Sequence, residues 1–403
     1  MKKLGFSNCA LSWLIVLALC PSAMAQVIQI SKVEALYSAV DNPANAGATL
    51  VLAPGTYMLT PTDPYGASRP KGGRIEFQMD MSLMGVEADR DAVVISAVNL
   101  PASSFPTTTN GLATGPNAAI RMGLGHNALQ WLTVRDTING QDNINTGLQP
   151  LDPGDAYILV AHIASSGSNR GLDILNFGPK TSGQTIEADV VDSYFFENPF
   201  GTSVGVRSGN FSNRGSTVNV RLSGNLVWGQ KQGWSMENST ATGSTVNAVS
   251  SGNRFYGNGV GTSILGVVTS GTARADGNTI HFEAHGDQFT GNTAATQFDH
   301  GGLAVVGTEN VSPVGGGGSN NTVNVQLWGC RMSDNYASDL YAVGARSNFS
   351  SVAADPSLSQ NNHVTIEIHG DGNGNGRWQP VEFFADSLPA APPNYGNSVT
   401  VIE

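Results

Sequence analysis

Six short segments between Thr185 and Ile366 repeat one pattern. They are Thr185-Ile186-Glu187-Ala188, Thr217-Val218-Asn219-Val220, Thr245-Val246-Asn247-Ala248, Thr279-Ile280-His281-Phe282, Thr322-Val323-Asn324-Val325 and His363-Val364-Thr365-Ile366. Their second residues lie 32, 28, 34, 43 and 41 positions apart. Within each segment apolar and polar residues alternate, which is the period of a strand with one buried face. The inward sets are then Ile186/Ala188/Val190, Val218/Val220/Leu222, Ile280/Phe282/Ala284, Val323/Val325/Leu327 and Val364/Ile366/Ile368.

The register continues past the motif. Ser193, Asn225, Asn253, Asp287 and Cys330 share one column, mostly just after a glycine. Two residues on, Phe195, Val227, Phe255, Phe289 and Met332 form an apolar column; five residues on, Asn198, Gln230, Asn258, Asn292 and Asn335 form an amide column. Amides at one position of successive coils can stack and hydrogen-bond along the stack. A further strand follows in each unit, at Val204–Arg207, Ser235–Glu237, Ile264–Val268, Leu303–Val306 and Leu340–Val343, before variable loops rich in Gly, Ser and Asn. Gly315–Gly318 reads as one such flexible loop, without the Lys-Ser/Thr of a phosphate loop. One turn is strand, bend, strand, bend, strand, loop, and such units stack as a solenoid. Antiparallel hairpins, as in a sandwich or propeller, would place a turn every few residues and would not keep three columns in register. The expected fold is all-β: a single-stranded right-handed parallel β-helix.

The N-terminus reads as a signal peptide. Lys2 and Lys3 precede an apolar run, Leu11–Leu19, and Ala23-Met24-Ala25 gives a small-x-small cleavage site before Gln26. The run is too short to span a bilayer. Residues 1–25 would leave a mature β-helix of residues 26–403, secreted or periplasmic, with no integral membrane segment. Cleavage removes Cys9 and Cys20, so Cys330 stands alone and packing must replace disulfides. It also removes Lys2 and Lys3 from the 20 basic residues, leaving 18 against 31 acidic, a formal −13. That balance disfavours nucleic acid and, more mildly, strongly anionic polymers.

Ahead of the repeats, Lys32–Val40 has the spacing of a short amphipathic helix with Val33, Leu36 and Val40 inward. Ala48–Leu59 follows, with Pro54-Gly55-Thr56-Tyr57 inside it, and Met81–Gly85 and Ala128–Val134 look like early coils. A helix, then a strand ending in Pro-Gly-x-Tyr, resembles the start of the pectate-lyase-like β-helix superfamily, where the helix caps the open first coil. The resemblance covers nearly the whole mature chain. It implies the fold and no one activity, because that superfamily includes lyases, hydrolases, epimerases and non-catalytic adhesins. The calcium-binding aspartate cluster and Arg-x-Pro-x-x-Arg of pectate lyases are absent. So are the polygalacturonase set of Asn-x-Asp, Asp-Asp, Gly-His-Gly and Arg-x-Lys, and the Asp-Pro-His-Glu of alginate epimerases.

Two groups of residues are candidates for chemistry. The first is His281-Phe282-Glu283-Ala284-His285-Gly286-Asp287, where alternation puts His281, Glu283 and His285 outward and Asp287 at the bend. Glu367, His369 and Asp371 copy it, and Gln326, Trp328 and Cys330 match it in the coil between. Carboxylates for proton transfer and an indole for sugar contact suit a carbohydrate site. The plainer reading is the polar outer face of an exposed sheet. His281 and His285, roughly 13 Å apart on an extended strand, do not share a metal ion. The second group lies by the last strand of each coil: Arg207 and Glu237, expected at matching positions, with Asp299, His300 and Arg346 at strand edges. Arg207, His300 and Arg346 are candidates to act as base or to stabilise an enolate; the plainer reading of Arg207/Glu237 is an exposed ion pair bridging coils. Lys231 and Trp234, in the bend before that strand, are candidate sugar contacts, though either Trp228 or Trp234 would also serve as core; His126 reads as structural, at a turn.

Catalytic candidates are thus Glu283, His285, His300, Arg207 and Arg346, and substrate-binding candidates Trp328, Trp234, Lys231, Asp287 and Glu237. No metal or other cofactor is expected. The expected partner is a polysaccharide or cell-surface glycan, processed by lyase or hydrolase chemistry in a groove or, alternatively, bound by a non-catalytic surface or adhesion module.

Overall fold

The computed structural model describes residues 26–105, 108–109, 112–113, 117–145, 154–178, 181–197, 203–269, 272–293, 301–310, 316–347, 359–370, 378–381, 384–385 and 395–403. The proposed signal peptide (1–25), Asn198, Asp299, His300, Gly315 and Asp371 lie outside them. No described helix is long and apolar enough to cross a membrane.

The chain winds as a right-handed parallel β-helix with three parallel sheets of 12, 9 and 11 strands. One coil runs Thr245–Ser251 in the first sheet, Arg254–Tyr256 in the second and Val260–Thr269 in the third. The repeat sets the register: Ile186, Val218, Val246, Ile280, Val323 and Val364 pair in that order. Every expected inward residue of these strands is buried except Ile368, which is partly buried against the core. The apolar column also packs inside, with Phe255 stacked on Phe289 at 5.2 Å. At the N-terminal end the helix Val33–Val40 buries Leu36 and Val40, with Val33 packed partly against the core.

In the repeat region the corners place a residue in left-handed conformation before a buried, mostly polar side chain. At the first corner Gly224, Gly252, Gly286 and Gly329 have φ of 66°, 62°, 65° and 58°, where a side chain is strained. The next residue is then Asn225, Asn253, Asp287 or Cys330. The rungs work alike. Asn258 donates from Nδ2 to the Val227 carbonyl (3.0 Å), while its Oδ1 accepts from the Gln230 amide (3.0 Å). Asn292 does the same for Phe255 (3.1 Å) and Asn258 (3.1 Å), and Asn335 for Phe289 (2.9 Å) and Asn292 (3.1 Å). Bends in a dry interior would otherwise strand backbone donors and acceptors.

A third ladder was not anticipated. Ser216, Ser244, Asn278, Asn321, Asn362 and Asn397 link coil to coil at the last corner, as in Asn321 N to Asn362 Oδ1 (3.2 Å) and Asn362 N to Asn397 Oδ1 (2.9 Å). Its signal was present, since each of these residues directly precedes a first-sheet strand.

Several expectations are corrected. Trp234 is fully buried, its indole donating to Ser208 Oγ at 3.1 Å and meeting Phe282 edge-on, so it is core and presents no face to solvent. Asp287 is equally buried as a ladder rung, accepting from the Asn253 amide at 2.7 Å, and is no surface ligand. His126 lies within the strand Gly125–Gln130 rather than at a turn, exposed and stacked on Tyr157 at 4.5 Å. Gly316–Gly318 is ordered core backbone: all three residues are buried, and Gly317 bridges Arg274 in parallel.

Asn292→Ala removes one rung and leaves the buried Phe255 carbonyl and Asn258 amide of the preceding coil unpaired, a cost of about 2–4 kcal/mol. Asn247→Ala, on the outer face, should cost less than about 1 kcal/mol. Urea denaturation of both variants checks the ordering. Burial pushes Asp287 up to about 6. The native state therefore holds this proton where the unfolded chain has lost it, and stability falls as pH rises from about 4 to about 6, on the order of 2–3 kcal/mol. Asp287→Asn should flatten that limb and be more stable than wild type at pH 7; an unchanged pH profile would contradict it.

Candidate functional site

The first candidate group lies on the outer face of the first sheet, where register draws distant residues into rows. One row runs His126, Tyr157, Glu187, Asn219, Asn247, His281, Asn324 and Thr365. A second includes Asp189, Arg221, Val249, Glu283, Gln326 and Glu367, and a third Ser251, His285, Trp328 and His369. The expected ladder is therefore present: Glu283 Oε2 lies 3.6 Å from His285 Nε2, Glu367 Oε2 lies 3.5 Å from His369 Nε2, and Gln326 donates to Glu367 at 2.9 Å. Trp328 is 41% exposed, but His369 covers one face at 3.7 Å and His285 stacks on the other side at 6.2 Å. It offers a sugar its edge more than its face. A groove of about 450 Å³ runs over Asn247, His281, Glu283, Asn324, Gln326 and Glu367.

The second group is different in kind. The third-sheet strands Arg170–Phe177, Val204–Phe211, Gln232–Ser239 and Val260–Thr269 are eight to ten residues long, and most of their residues are buried on both faces. Arg207 and Glu237 are not at matching positions: Arg207 pairs with Ser235, and Glu237 with Gly209. They still meet diagonally, Arg207 Nη1 to Glu237 Oε1 at 3.4 Å, since Gly209 places no side chain between them. The pair is not exposed either, at 12% and 11% of side-chain surface.

Arg207 also holds Asp173 in a two-pronged bond, Nε to Oδ1 at 2.8 Å and Nη2 to Oδ2 at 2.7 Å. Arg170 lies 3.2 Å from Asp142 and 3.6 Å from Asp173. Asp142 and Asp173 are each 2% exposed and share a hydrogen bond. Burial, and then the neighbouring Asp173 charge, push Asp142 up to about 7. Burial opposes ionisation of Asp173 too, but the Arg207 and Arg170 guanidiniums outweigh it and hold Asp173 below the usual carboxylate range. Burial also raises Glu237, against the pull of Arg207 and Arg170. Two adjacent carboxyls are thus driven apart, one protonated and one ionised.

Asp142, Arg170 and Asp173 were missed in the sequence. Asp142 pairs with Arg170 and Asp173 with Arg207 one coil later, so opposite charges at coil spacing were the available signal. Arg346 is not at an open edge: it pairs with Glu309 in register, 2.8 Å apart and almost fully buried. Lys231 sits half-buried in the bend before the third sheet, its amide bonded to Ser203. His300 lies outside the described residues. Trp228 stays half-exposed on the second sheet, stacked between Phe196 (4.5 Å) and Tyr256 (5.9 Å). Among the described residues no group of three His, Cys, Asp or Glu side chains is arranged to hold a metal ion.

No protein-family model matches the chain, and no curated protein matches it. Similar solved structures include pectate lyase Pel9A, 14% identical over 92% of this chain and 82% of that one, with a TM-score of 0.37. The mannuronan C-5 epimerase AlgE6 A-module of Azotobacter vinelandii is 14% identical over 92% and 93%, TM-score 0.38. The catalytic unit of a GH87 α-1,3-glucanase from Streptomyces thermodiastaticus is 14% identical over 94% and 68%, TM-score 0.37.

Asp142 carries its own pH signature. Its native pKa lies above that of the unfolded chain, so its contribution is complete at low pH and is lost as pH rises through about 7. Asp173, shifted the other way, acts only at the acid end of the range. Asp142→Asn should make the fall in stability shallower from about pH 4 through about 7, and above about pH 6, where Asp287 has finished titrating, the difference belongs to Asp142. Chemical denaturation across that range reads both limbs.

Proposed function

We propose that this is a secreted or periplasmic carbohydrate-active protein that cleaves glycosidic bonds at the third-sheet charge cluster. One observation carries the reading: Asp142 and Asp173 touch, yet one is held protonated near neutral pH and the other ionised. A general acid needs a proton to give at working pH, and Asp142 has one. Arg170 and Arg207 fix both carboxyls, and Arg170, Arg207 and Glu237 form the more exposed rim at which a glycan would arrive. In hydrolysis Asp142 donates its proton to the leaving glycosidic oxygen. Asp173, the ionised carboxylate, takes a proton from the attacking water, and the sugar C–O bond breaks as the new one forms.

Local charge favours an uncharged glycan. Asp142, Asp173 and Glu237 face Arg170 and Arg207, and both guanidiniums are engaged by carboxylates. A uronic-acid lyase needs positive charge in excess, to neutralise the substrate carboxylate and the enolate derived from it. The alternative, a non-catalytic surface or adhesion module, draws on the same cluster: Asp142 and Asp173 are almost fully buried and satisfied within the network, as in a structural ion-pair ladder.

Incubation with neutral and uronic-acid polysaccharides, followed by reducing ends and by ultraviolet absorbance of unsaturated products, separates the readings. Reducing ends without absorbance are expected, with turnover declining above about pH 7. Asp142→Asn should lower turnover by about 100-fold or more and retain the fold. If no polymer is cut, or Asp142→Asn cuts as fast as wild type, the catalytic reading is lost and the module reading stands.

A further inference from the structure

The outer face of the first sheet lies on a different sheet from the charge cluster, and it is organised along its length. The row from His126 to Thr365 keeps one register over eight coils, so its side chains recur about every 4.8 Å over roughly 34 Å. Neighbours in the row touch: His126 stacks on Tyr157, Asn247 donates to Asn219 at 2.8 Å, and Asn324 meets His281 at 3.3 Å. The surface dips at both ends. A groove of about 350 Å³ over His126, Tyr157, Glu187 and Asp189 marks one, and the groove of about 450 Å³ over His281, Glu283 and Gln326 the other.

The chemistry of this track narrows what fits it. The larger groove has no Lys or Arg in its lining, and the smaller has Arg221, which is tied to Asp189 at 2.9 Å. A polyanion therefore finds no counter-charge. A peptide cannot add as a strand, because each strand of the track from Ala156 to His369 is already paired on both sides. What remains is a row of amides, carboxylates, imidazoles and hydroxyls that both donate and accept, the complement of vicinal hydroxyl groups. Its step along the axis is about one sugar residue of an extended glycan.

We infer that the first sheet is a binding track for a linear, uncharged glycan lying parallel to the helix axis, separate from the charge cluster on the third sheet. The side chains hold successive sugars from coil to coil, and Trp328 with His285 and His369 forms a side wall.

The test uses the full chain carrying Asp142→Asn, with short wild-type incubations as a check on folding. Affinity electrophoresis in xyloglucan, mixed-linkage β-glucan, galactomannan and dextran should show retardation by at least one, and none by alginate or polygalacturonate. Titration with oligosaccharides of that polymer should show affinity rising with length through about seven residues. Asn247→Ala with Gln326→Ala should weaken binding tenfold or more without changing the melting temperature. Absence of retardation by every neutral polymer, preference for a polyanion, or binding indifferent to the double variant overturns the inference. Binding without any cleavage removes only the catalytic reading, and cleavage without binding on this face removes only the track.

Discussion

The buried corner amide holds this molecule together. A parallel coil must turn three times per circuit, and each turn exposes amide hydrogens and carbonyls that the sheets cannot pair. Asn258 and Asn292 show the solution. Each side chain receives a hydrogen bond from the backbone of the preceding coil and returns one to that coil. The rungs are interlocked, so each corner fixes the height of the next. With no disulfide among the described residues, where Cys330 is free and buried, these ladders and the inward side chains carry the stability. Asp287 occupies a rung with a carboxyl in place of an amide, and burial answers by keeping its proton.

Precise stacking has a second consequence, on the outside of the sheets. Fixed corners make the outward rows fixed too, and residues dozens of positions apart become neighbours. On the first sheet, facing solvent, this yields a mixed polar track. On the third sheet, buried on its outer side as well, the same stacking brings charges together away from water. There desolvation dominates: a carboxyl with insufficient compensation holds its proton, as Asp142 does, while one gripped by two guanidiniums stays ionised, as Asp173 does. The contrast between the faces comes from solvent access and not from residue type.

The columns of Ile186, Val218, Val246, Ile280, Val323 and Val364, and the amides Gln230, Asn258, Asn292 and Asn335, were legible because inward positions are chemically restricted and repeat at coil spacing. The outer ladder of Glu283, His285 and Trp328 was legible because strand alternation puts the residues between the inward ones on the outer face. The charge cluster was not. Arg207 and Glu237 were aligned two residues out of register, because the third-sheet strands run longer than their apolar cores suggest and begin after variable loops. Trp234 and Asp287 looked available because a pattern records alternation and spacing, not which side of a bend a side chain takes.

The sequence alone determined that this chain coils in parallel, with a period near one circuit and three corners, because only stacking satisfies its alternating strands and recurrent amides together. Tertiary structure decided which charges leave water and which meet diagonally. That depends on the distances and coverage between coils, quantities that a linear order of residues does not contain.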